Sequence, residues 1–304
     1  MIRNLLCAFD FSSSSERALR YALDLRERTG ATLHLASVKE VPLGPILKGD
    51  PSPVGGEEEL RKQIRKELHD HVEEVVSSRP VSLDPEAVRY HVDRTGAVAP
   101  WLVRQAEHVE ADLLVMGTQG HRGLQEAFVG SVAREVLRTA PCPVLTTRQL
   151  EDDPASTNVD VDRVVAPVDF SDPSRAALRY AGRVASIYEV PVKLIHVVES
   201  PQIPSVYGVE SPKLTSRTVK AQAEQALNEW GTELLGGDHS VTYVVYQGAP
   251  ADCIREATSE EDLLVLATRG LSGLRRTMLG SVTEEIVREA QGPVLASRAF
   301  PVDV

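Results

Sequence analysis

Gly117-Thr118-Gln119-Gly120, followed by nine residues and then by Gly130-Ser131-Val132, is the stretch that decides the fold of this chain. It returns later as Ala267-Thr268-Arg269-Gly270, nine residues, and Gly280-Ser281-Val282. Each copy follows a short apolar run, and each Gly-Ser pair precedes a sequence with helical periodicity. A strand, a glycine loop and a helix N-terminus in this order present backbone N–H groups and the positive end of a helix dipole. That arrangement favours the binding of phosphate.

The repeat extends along almost the whole chain. Asp10-Phe11-Ser12 returns as Asp169-Phe170-Ser171, and Pro143-Val144-Leu145 returns as Pro293-Val294-Leu295. The sequence therefore predicts two copies of one domain of a common size. Their predicted ranges are residues 1–150 and 159–300.

Two further segments separate and lengthen the copies. The first copy is longer between its first motif and its glycine loop, and the proline and glycine residues within 42–56 predict the position of the extra segment. The acidic, turn-rich residues 151–158 predict the linker between the copies.

Composition is typical of a globular protein, with 42% hydrophobic and 25% charged residues. A formal net charge of −11 argues against nucleic acid as a partner, because its phosphates would be repelled over most of the surface. No apolar run approaches the roughly 18 residues of a membrane span, and the first residues lack a secretory signal pattern. We therefore expect a cytoplasmic protein without membrane insertion. Three scattered cysteines without a CxxC pair suit that reducing compartment.

Apolar runs alternate with amphipathic segments in each copy, which predicts an α/β fold with a parallel, doubly wound sheet covered by helices. Ser13 with Glu16 resembles a capping box at the start of the first helix. Ligands of such sheets bind beyond the carboxyl ends of the strands, where the strand order reverses. If the order is 3-2-1-4-5, Asp10, Val38 and Gly117 lie together there.

These blocks resemble the universal stress protein family, specifically its tandem-domain members and the nucleotide-binding branch whose signature is G-x2-G-x9-G-[S/T]. The resemblance covers nearly the whole chain, twice. It implies two five-stranded sheets of order 3-2-1-4-5 in a Rossmann-like fold of the adenine nucleotide alpha hydrolase kind. It also implies ATP bound at each strand reversal, with AMP, ADP and Mg²⁺ left open as further ligands, and a nucleotide-gated role in stress response or signalling with an unnamed protein partner.

The resemblance assigns individual residues to this site. In copy one, Phe9 and Asp10 border the adenosine, and Val38 contacts adenine through its backbone. The residues lining adenine and ribose are Met116, Gly117 and Thr118. The residues around the phosphates are Gly120, His121, Gly130, Ser131 and Val132. The matching positions in copy two are Val168, Asp169, Val197, Leu266, Ala267, Thr268, Gly270, Leu271, Gly280, Ser281 and Val282.

Copy two departs from the signature at Ala267, where copy one has Gly117. A methyl group costs little there if φ is below zero. It costs about 1 kcal/mol or more if φ is positive or if the backbone must approach the ribose closely. We therefore expect copy one to be the tighter site, and Ala267→Gly to strengthen the weaker one if φ is unfavourable for alanine.

Structural explanations compete with these assignments. The glycines could simply form a tight turn between strand and helix, and Asp10 could serve only as a helix cap. Most histidines fit structural or solvated roles. His69 and His71 lie two residues apart on a predicted helix and so point to different faces, which argues against a metal pair. No metal site is predicted.

Catalysis finds little support in the sequence. There is no GxxxxGK[ST] loop, so the lysine that P-loop enzymes place on the phosphates is missing, and no G-x-S-x-G elbow occurs. We expect no catalytic residues and at most slow ATP hydrolysis. An adaptor that needs no nucleotide and a slow ATPase remain the alternative functions.

The closing strands of the two copies bear on assembly. Residues 143–147 and 293–297 are apolar, and an open edge of this kind favours aggregation. Single-domain members of the resembled family dimerise through these strands. We therefore predict antiparallel pairing within the chain, giving a pseudo-dimeric monomer, with further homo-oligomers left open.

Overall fold

A computed structural model describes residues 2–40, 56–77, 88–120, 129–148, 159–199, 217–236, 239–268 and 279–298. The chain forms two compact units, Met1–Val159 and Asp160–Val304. The predicted linker lies outside the described residues, as does nearly all of the predicted extra segment of copy one.

Unit one alternates strands and helices. Its strands are β1 Asn4–Ala8, β2 Thr32–Glu40, β3 Val88–Thr95, β4 Leu113–Gly117 and β5 Val144–Thr147. Its helices in the described residues are α1 Ser13–Thr29, α2 Gly56–Ser77, α3 Val98–His108 and α4 Ser131–Thr139.

Unit two repeats this order. Its strands are β6 Arg163–Pro167, β7 Val192–Val198, β8 Val241–Gln247, β9 Asp262–Ala267 and β10 Val294–Ser297. Its helices in the described residues are α5 Asp172–Tyr188, α6 Arg217–Leu235, α7 Pro250–Glu256 and α8 Ser281–Glu289.

The strand order in unit one is β3-β2-β1-β4-β5, and neighbouring strands in this order pair in parallel. Leu5 of β1 pairs with Leu33 of β2 on one side and with Leu113 of β4 on the other. Unit two has the equivalent order β8-β7-β6-β9-β10, also parallel. The predicted α/β fold and the order 3-2-1-4-5 are confirmed, and the order reverses between β1 and β4 and between β6 and β9. The predicted pairing of the two closing strands with each other stays a prediction.

The central strands are buried on both faces, which explains their continuous apolar runs. Leu5, Leu6 and Cys7 of β1 are fully buried, as are Leu114 and Val115 of β4. A parallel sheet with helices on both sides requires apolar side chains at consecutive positions. Each fully buried leucine contributes about 1.5–3 kcal/mol of burial free energy, so this core fixes β1 and β4 in the sheet.

Serine caps start the helices that follow β1 and β6. Ser12, not Ser13, is the N-cap of α1, and its hydroxyl accepts the Ser15 N–H at 3.3 Å. The predicted capping box of Ser13 with Glu16 is therefore wrong by one residue, because Ser12 rather than Ser13 has the extended backbone that a cap needs. Ser171 caps α5 in the same way.

The C-termini of these two helices differ at one matched position. Gly30 ends α1 with φ +71°, and Glu189 ends α5 with φ +58°. Both are in the left-handed region, which glycine adopts without a steric cost and glutamate does not. Unit two therefore contains local strain that unit one avoids.

We expect Gly30→Ala to destabilise unit one by about 1 kcal/mol, and Glu189→Gly to stabilise unit two by about 0.5–1 kcal/mol. The measurement is urea unfolding followed by tryptophan fluorescence, since Trp101 lies in unit one and Trp230 in unit two. Single-tryptophan backgrounds made by Trp→Phe separate the two signals. Glu189→Ala is the control, because it removes the charge and keeps the strain; a gain in stability equal to that of glycine would contradict the backbone explanation.

Two histidines of neighbouring strands bond to each other in unit one. His34 Nδ1 of β2 and His91 Nε2 of β3 are 2.9 Å apart, and His34 is buried. Burial lowers the pKa of His34 to about 4 and also lowers that of His91. The neighbouring positive or titratable groups, His108 of α3, Arg89 of β3 and Arg65 of α2, act in the same direction.

This pair makes unit one sensitive to acid. A histidine whose pKa is depressed on folding contributes stability above its unfolded pKa of about 6.5 and loses it as the pH falls toward its folded pKa. We expect the unfolding free energy of unit one to fall between pH 6.5 and 5, and the slope to be shallower in His34→Gln. An unchanged slope in that variant, measured by urea unfolding across this range, would refute the role of the pair.

Candidate functional site

The site of unit one lies where the carboxyl ends of β1 and β4 are neighbours. Phe9 directly follows β1, is buried, and donates its N–H to the Ala36 carbonyl of β2 at 2.8 Å. This bond holds the chain against β2 one residue beyond the end of β1. Asp10, the next residue, is exposed at the reversal point. The predicted position of Asp10 beside β2 and β4 therefore agrees with the structure.

Asp10 organises the turn between β1 and α1. Its Oδ1 accepts the Ser12 N–H at 3.1 Å and the Ser12 hydroxyl at 2.5 Å. Asp10 therefore supports the helix cap rather than serving as the cap. Asp169 makes the same two bonds to Ser171 in unit two, at 3.0 and 2.6 Å.

The glycine loop passes directly beside this carboxylate. A Cβ added to Gly120 would lie 2.6 Å from Asp10 Oδ2, which is closer than real Cβ atoms approach an oxygen. A side chain at position 120 would therefore require the Asp10 carboxylate to move. The first and fourth strand ends thus contribute to one site, as the spacing of the motifs predicts.

One backbone hydrogen bond closes the glycine loop. The Gly130 N–H donates to the Thr118 carbonyl at 2.8 Å, and the Thr118 N–H donates to Thr147 of β5, also at 2.8 Å. In unit two the Gly280 N–H donates to the Thr268 carbonyl at 2.9 Å. Each bond thus places the glycine at a helix start beside the residue that follows the fourth strand of its unit.

The helix that follows begins without a side-chain cap. Gly130 is the N-cap of α4, and the first intrahelical bond runs from the Arg134 N–H to the Gly130 carbonyl at 3.0 Å. The N–H groups of the first turn have no helical acceptor, as at every α-helix N-terminus, and they carry the positive end of the dipole. Gly280 begins α8 in the same way. Such a terminus is suited to an anion.

The backbone conformation of Ala267 separates two explanations of its substitution. Ala267 ends β9 and does not have a positive φ. The methyl group is therefore free of backbone strain. Gly117 does not have a positive φ either, but a Cβ there would lie 2.9 Å from the backbone carbonyl carbon of Ser14 in α1. Unit one therefore requires glycine at position 117 because of the close contact with α1, and not because of φ.

A strained phenylalanine beside each site was not foreseen from the sequence. Phe11 has φ +64° and Phe170 has φ +62°. Aromatic residues are rarely found in this region, and its cost is of order 1–3 kcal/mol. The repeated Asp-Phe-Ser was the signal available, but it does not reveal a dihedral angle.

Ring packing supports each strained turn. The Phe11 centroid lies 4.9 Å from that of Phe9 and 6.1 Å from that of His71 in α2. In unit two the Phe170 centroid lies 5.3 Å from that of Trp230 in α6. An aromatic side chain of the second helix therefore covers this turn in both units.

The structure describes all but three of the predicted site residues. Val38 and Val197 lie near the ends of β2 and β7 and are half-buried. Buried residues at or directly beyond the strand ends are Met116, Thr118, Val168, Leu266 and Thr268. In the first turns of α4 and α8, Ser131 and Ser281 are exposed and Val132 and Val282 are half-buried. The predicted residues outside the described part of the chain are His121, Gly270 and Leu271.

The cysteines offer no thiolate for chemistry at this edge. Burial raises the pKa of the Cys142 thiol to about 12 and raises that of Cys7 as well. A nucleophilic cysteine needs a lowered pKa. Within the described ranges, no group of three or more His, Cys, Asp or Glu side chains is arranged to hold a metal ion.

Among the residues that the structure describes, no helix combines the length and the apolar character needed to cross a bilayer.

Comparison with known proteins agrees with this architecture. The model of the universal stress protein family matches residues 1–148 and again 160–298. Universal stress protein Rv2623 of Mycobacterium tuberculosis is 26% identical over 302 residues, which cover 97% of this chain and 96% of the relative. Universal stress protein MJ0531 of Methanocaldococcus jannaschii is 32% identical over 142 residues, which cover 44% of this chain and 79% of the relative.

A solved structure shares the fold of the whole chain. The crystal structure of a universal stress protein from Archaeoglobus fulgidus has a TM-score of 0.61 at 18% identity and covers 98% of both chains. The fold and site define a tandem α/β protein with a glycine loop at each strand reversal. This chain belongs to the universal stress protein family, with two consecutive copies of its domain.

Proposed function

We propose that this protein binds an adenine nucleotide, ATP or AMP, at the glycine loop of each unit and acts as a nucleotide-gated stress-response or signalling protein in the cytoplasm. The two predicted domains, residues 1–150 and 159–300, each supply one site. The names of its relatives support the role in stress, and the three free cysteines suit a reducing compartment.

The observation that carries this proposal is the hydrogen bond from the Gly130 N–H to the Thr118 carbonyl. It brings the uncapped N-terminus of α4 back to the end of β4, beside Asp10. Phosphates can then bind the first-turn N–H groups of Ser131 and Val132, while adenosine lies toward Asp10 and Val38. The overall charge of −11 makes such local donors necessary for any anion.

Gating rests on the two glycines that a nucleotide would contact together. A nucleotide that contacts Gly120 and Gly130 at once holds these two residues in one arrangement and changes the surface offered to a protein partner. The ligand shifts the equilibrium between arrangements only by its differential affinity for them.

Two alternative functions predict different observations. A nucleotide-independent adaptor would use the same fold and have an empty site in the purified protein. A slow ATPase would bind nucleotide and accumulate ADP above the level of a loop variant. The missing P-loop lysine favours binding over hydrolysis, because P-loop enzymes use that side chain to stabilise charge on the transferred phosphoryl group.

Gly130→Val tests the phosphate subsite of unit one. Valine tolerates the backbone of Gly130, φ −57° and ψ 149°, but its side chain would begin only 3.1 Å from the Thr118 carbonyl oxygen, at the helix start where phosphate would bind. We expect ATP binding to be lost from unit one and kept in unit two. Ser131→Ala should weaken binding by only about 1 kcal/mol, the value of one hydroxyl hydrogen bond.

The measurement is titration calorimetry with ATP, and Gly280→Val is the matched variant that should remove the other site. Circular dichroism confirms that each variant is folded. Unchanged binding in both valine variants would show that nucleotide does not bind at these helix starts.

A further inference from the structure

We infer that Ser14 is a positioning residue that fixes the glycine loop of unit one, and that the pairs Ser14–Gly117 and Pro173–Ala267 make the two sites unequal. The inference rests on the proposed function, because the affinity in question is that of each site for an adenine nucleotide. It assigns the inequality to a contact with the first helix of each unit rather than to the φ of Ala267.

The Ser14 hydroxyl donates a hydrogen bond to the Gln119 carbonyl in the middle of the Gly-x-x-Gly segment. The Ser12 hydroxyl is also near this carbonyl, at 3.3 Å, but it lies 2.5 Å from Asp10 Oδ1. Because one hydroxyl has one proton, the shorter bond to the carboxylate takes the proton of Ser12. Ser14 is then the donor to Gln119.

Ser14 is itself held rigidly. It is 2% exposed, in the first turn of α1. Its carbonyl accepts the Thr147 hydroxyl of β5 at 2.9 Å. The loop segment is therefore bonded to a side chain that both α1 and β5 position.

Gly117 allows this arrangement. A Cβ at position 117 would lie 2.9 Å from both the carbonyl carbon and the Cβ of Ser14. The backbone of Ser14 cannot move away from such a Cβ as easily as a flexible side chain could. Glycine at the end of β4 and serine in the first turn of α1 are therefore a matched pair.

Unit two has the other pair. Pro173 occupies the position of Ser14 in the first turn of α5, and Ala267 occupies that of Gly117. Proline has no hydroxyl, so the equivalent bond to the loop cannot form. Unit two instead bonds the Ala267 carbonyl to the Thr283 hydroxyl of α8 at 2.8 Å, where unit one has Ala133. In unit one the first helix thus bonds the Gly-x-x-Gly segment, whereas in unit two the helix α8 bonds the last residue of β9.

If the two residues act as a pair, neither Ala267→Gly nor Pro173→Ser alone should raise the ATP affinity of unit two to that of unit one. Ala267→Gly alone removes a methyl group that is not strained and restores no hydrogen bond, so the affinity of unit two should change less than twofold. Pro173→Ser alone places a serine against the Ala267 methyl group. Only Pro173→Ser with Ala267→Gly provides both halves of the unit-one contact, and residues in direct contact show such non-additivity.

The first experiment removes the hydroxyl from unit one. ATP affinity is measured by titration calorimetry in a Gly280→Val background, which isolates unit one. Ser14→Ala should weaken binding about fivefold, as expected for one lost hydrogen bond. Ser14→Cys, which is close in size and a weak donor, should give a smaller loss. Thr283→Ala removes a matched hydroxyl from unit two and should leave unit one unchanged. Equal affinity in Ser14→Ala and its parent would overturn the inference.

The second experiment transfers the pair to unit two. In a Gly130→Val background, the double variant Pro173→Ser/Ala267→Gly should bind ATP at least fivefold more tightly than either single variant. If Ala267→Gly alone gave the full gain in ATP affinity, the Ala267 methyl group would be the cause of the weaker site. That result would contradict the role of serine.

A measurement without nucleotide distinguishes this inference from the proposed function. Hydrogen exchange in peptides that include Thr118 to Gly120 should be faster in Ser14→Ala than in the parent, and peptides of unit two should be unchanged. If the parent binds no nucleotide, the proposed function fails, and this exchange result still decides whether Ser14 positions the loop. Unchanged exchange at residues 118–120 would refute it.

Discussion

The hydrogen bond between the Gly130 N–H and the Thr118 carbonyl is the constraint on which both the site and its proposed function depend. It joins the end of a buried central strand to the start of a helix. It therefore places the uncapped N–H groups of α4 close to the end of β4, beside Asp10. The equivalent bond in unit two, from Gly280 to Thr268, shows that the duplicated sequence conserves a geometry as well as a spacing.

Strain and close contact surround this bond in both units. A phenylalanine with positive φ follows each site aspartate, and aromatic rings of neighbouring elements support it. A side chain at position 120 would require the Asp10 carboxylate to move, whereas one at position 117 would meet backbone atoms of Ser14. Unit two has Pro173 at the position of Ser14 and Ala267 at that of Gly117. Proline has no hydroxyl, so position 173 cannot supply the bond that Ser14 donates to Gln119.

The order of strands and the position of the site could be predicted because they depend on long-range regularities: apolar runs, the repeated glycine spacing and the rule that ligands bind at a strand reversal. The cap of α1 was predicted one residue too late, because Ser12, Ser13, Ser14 and Ser15 are chemically equal candidates and only the backbone dihedral angles choose between them. The positive φ of Phe11 and the role of Ser14 could not be predicted. A dihedral angle cannot be read from residue types, and the bond of Ser14 to Gln119 joins residues far apart in sequence.

The central claim is that these sites hold an adenine nucleotide. The most direct test is to purify the protein without added nucleotide, release any bound small molecule with acid, and identify and count it by chromatography and mass spectrometry. We expect an adenine nucleotide at up to two per chain, and less of it in Gly130→Val. Absence of any released nucleotide, together with no uptake of added ATP or AMP in equilibrium dialysis, would contradict it and favour the nucleotide-independent adaptor.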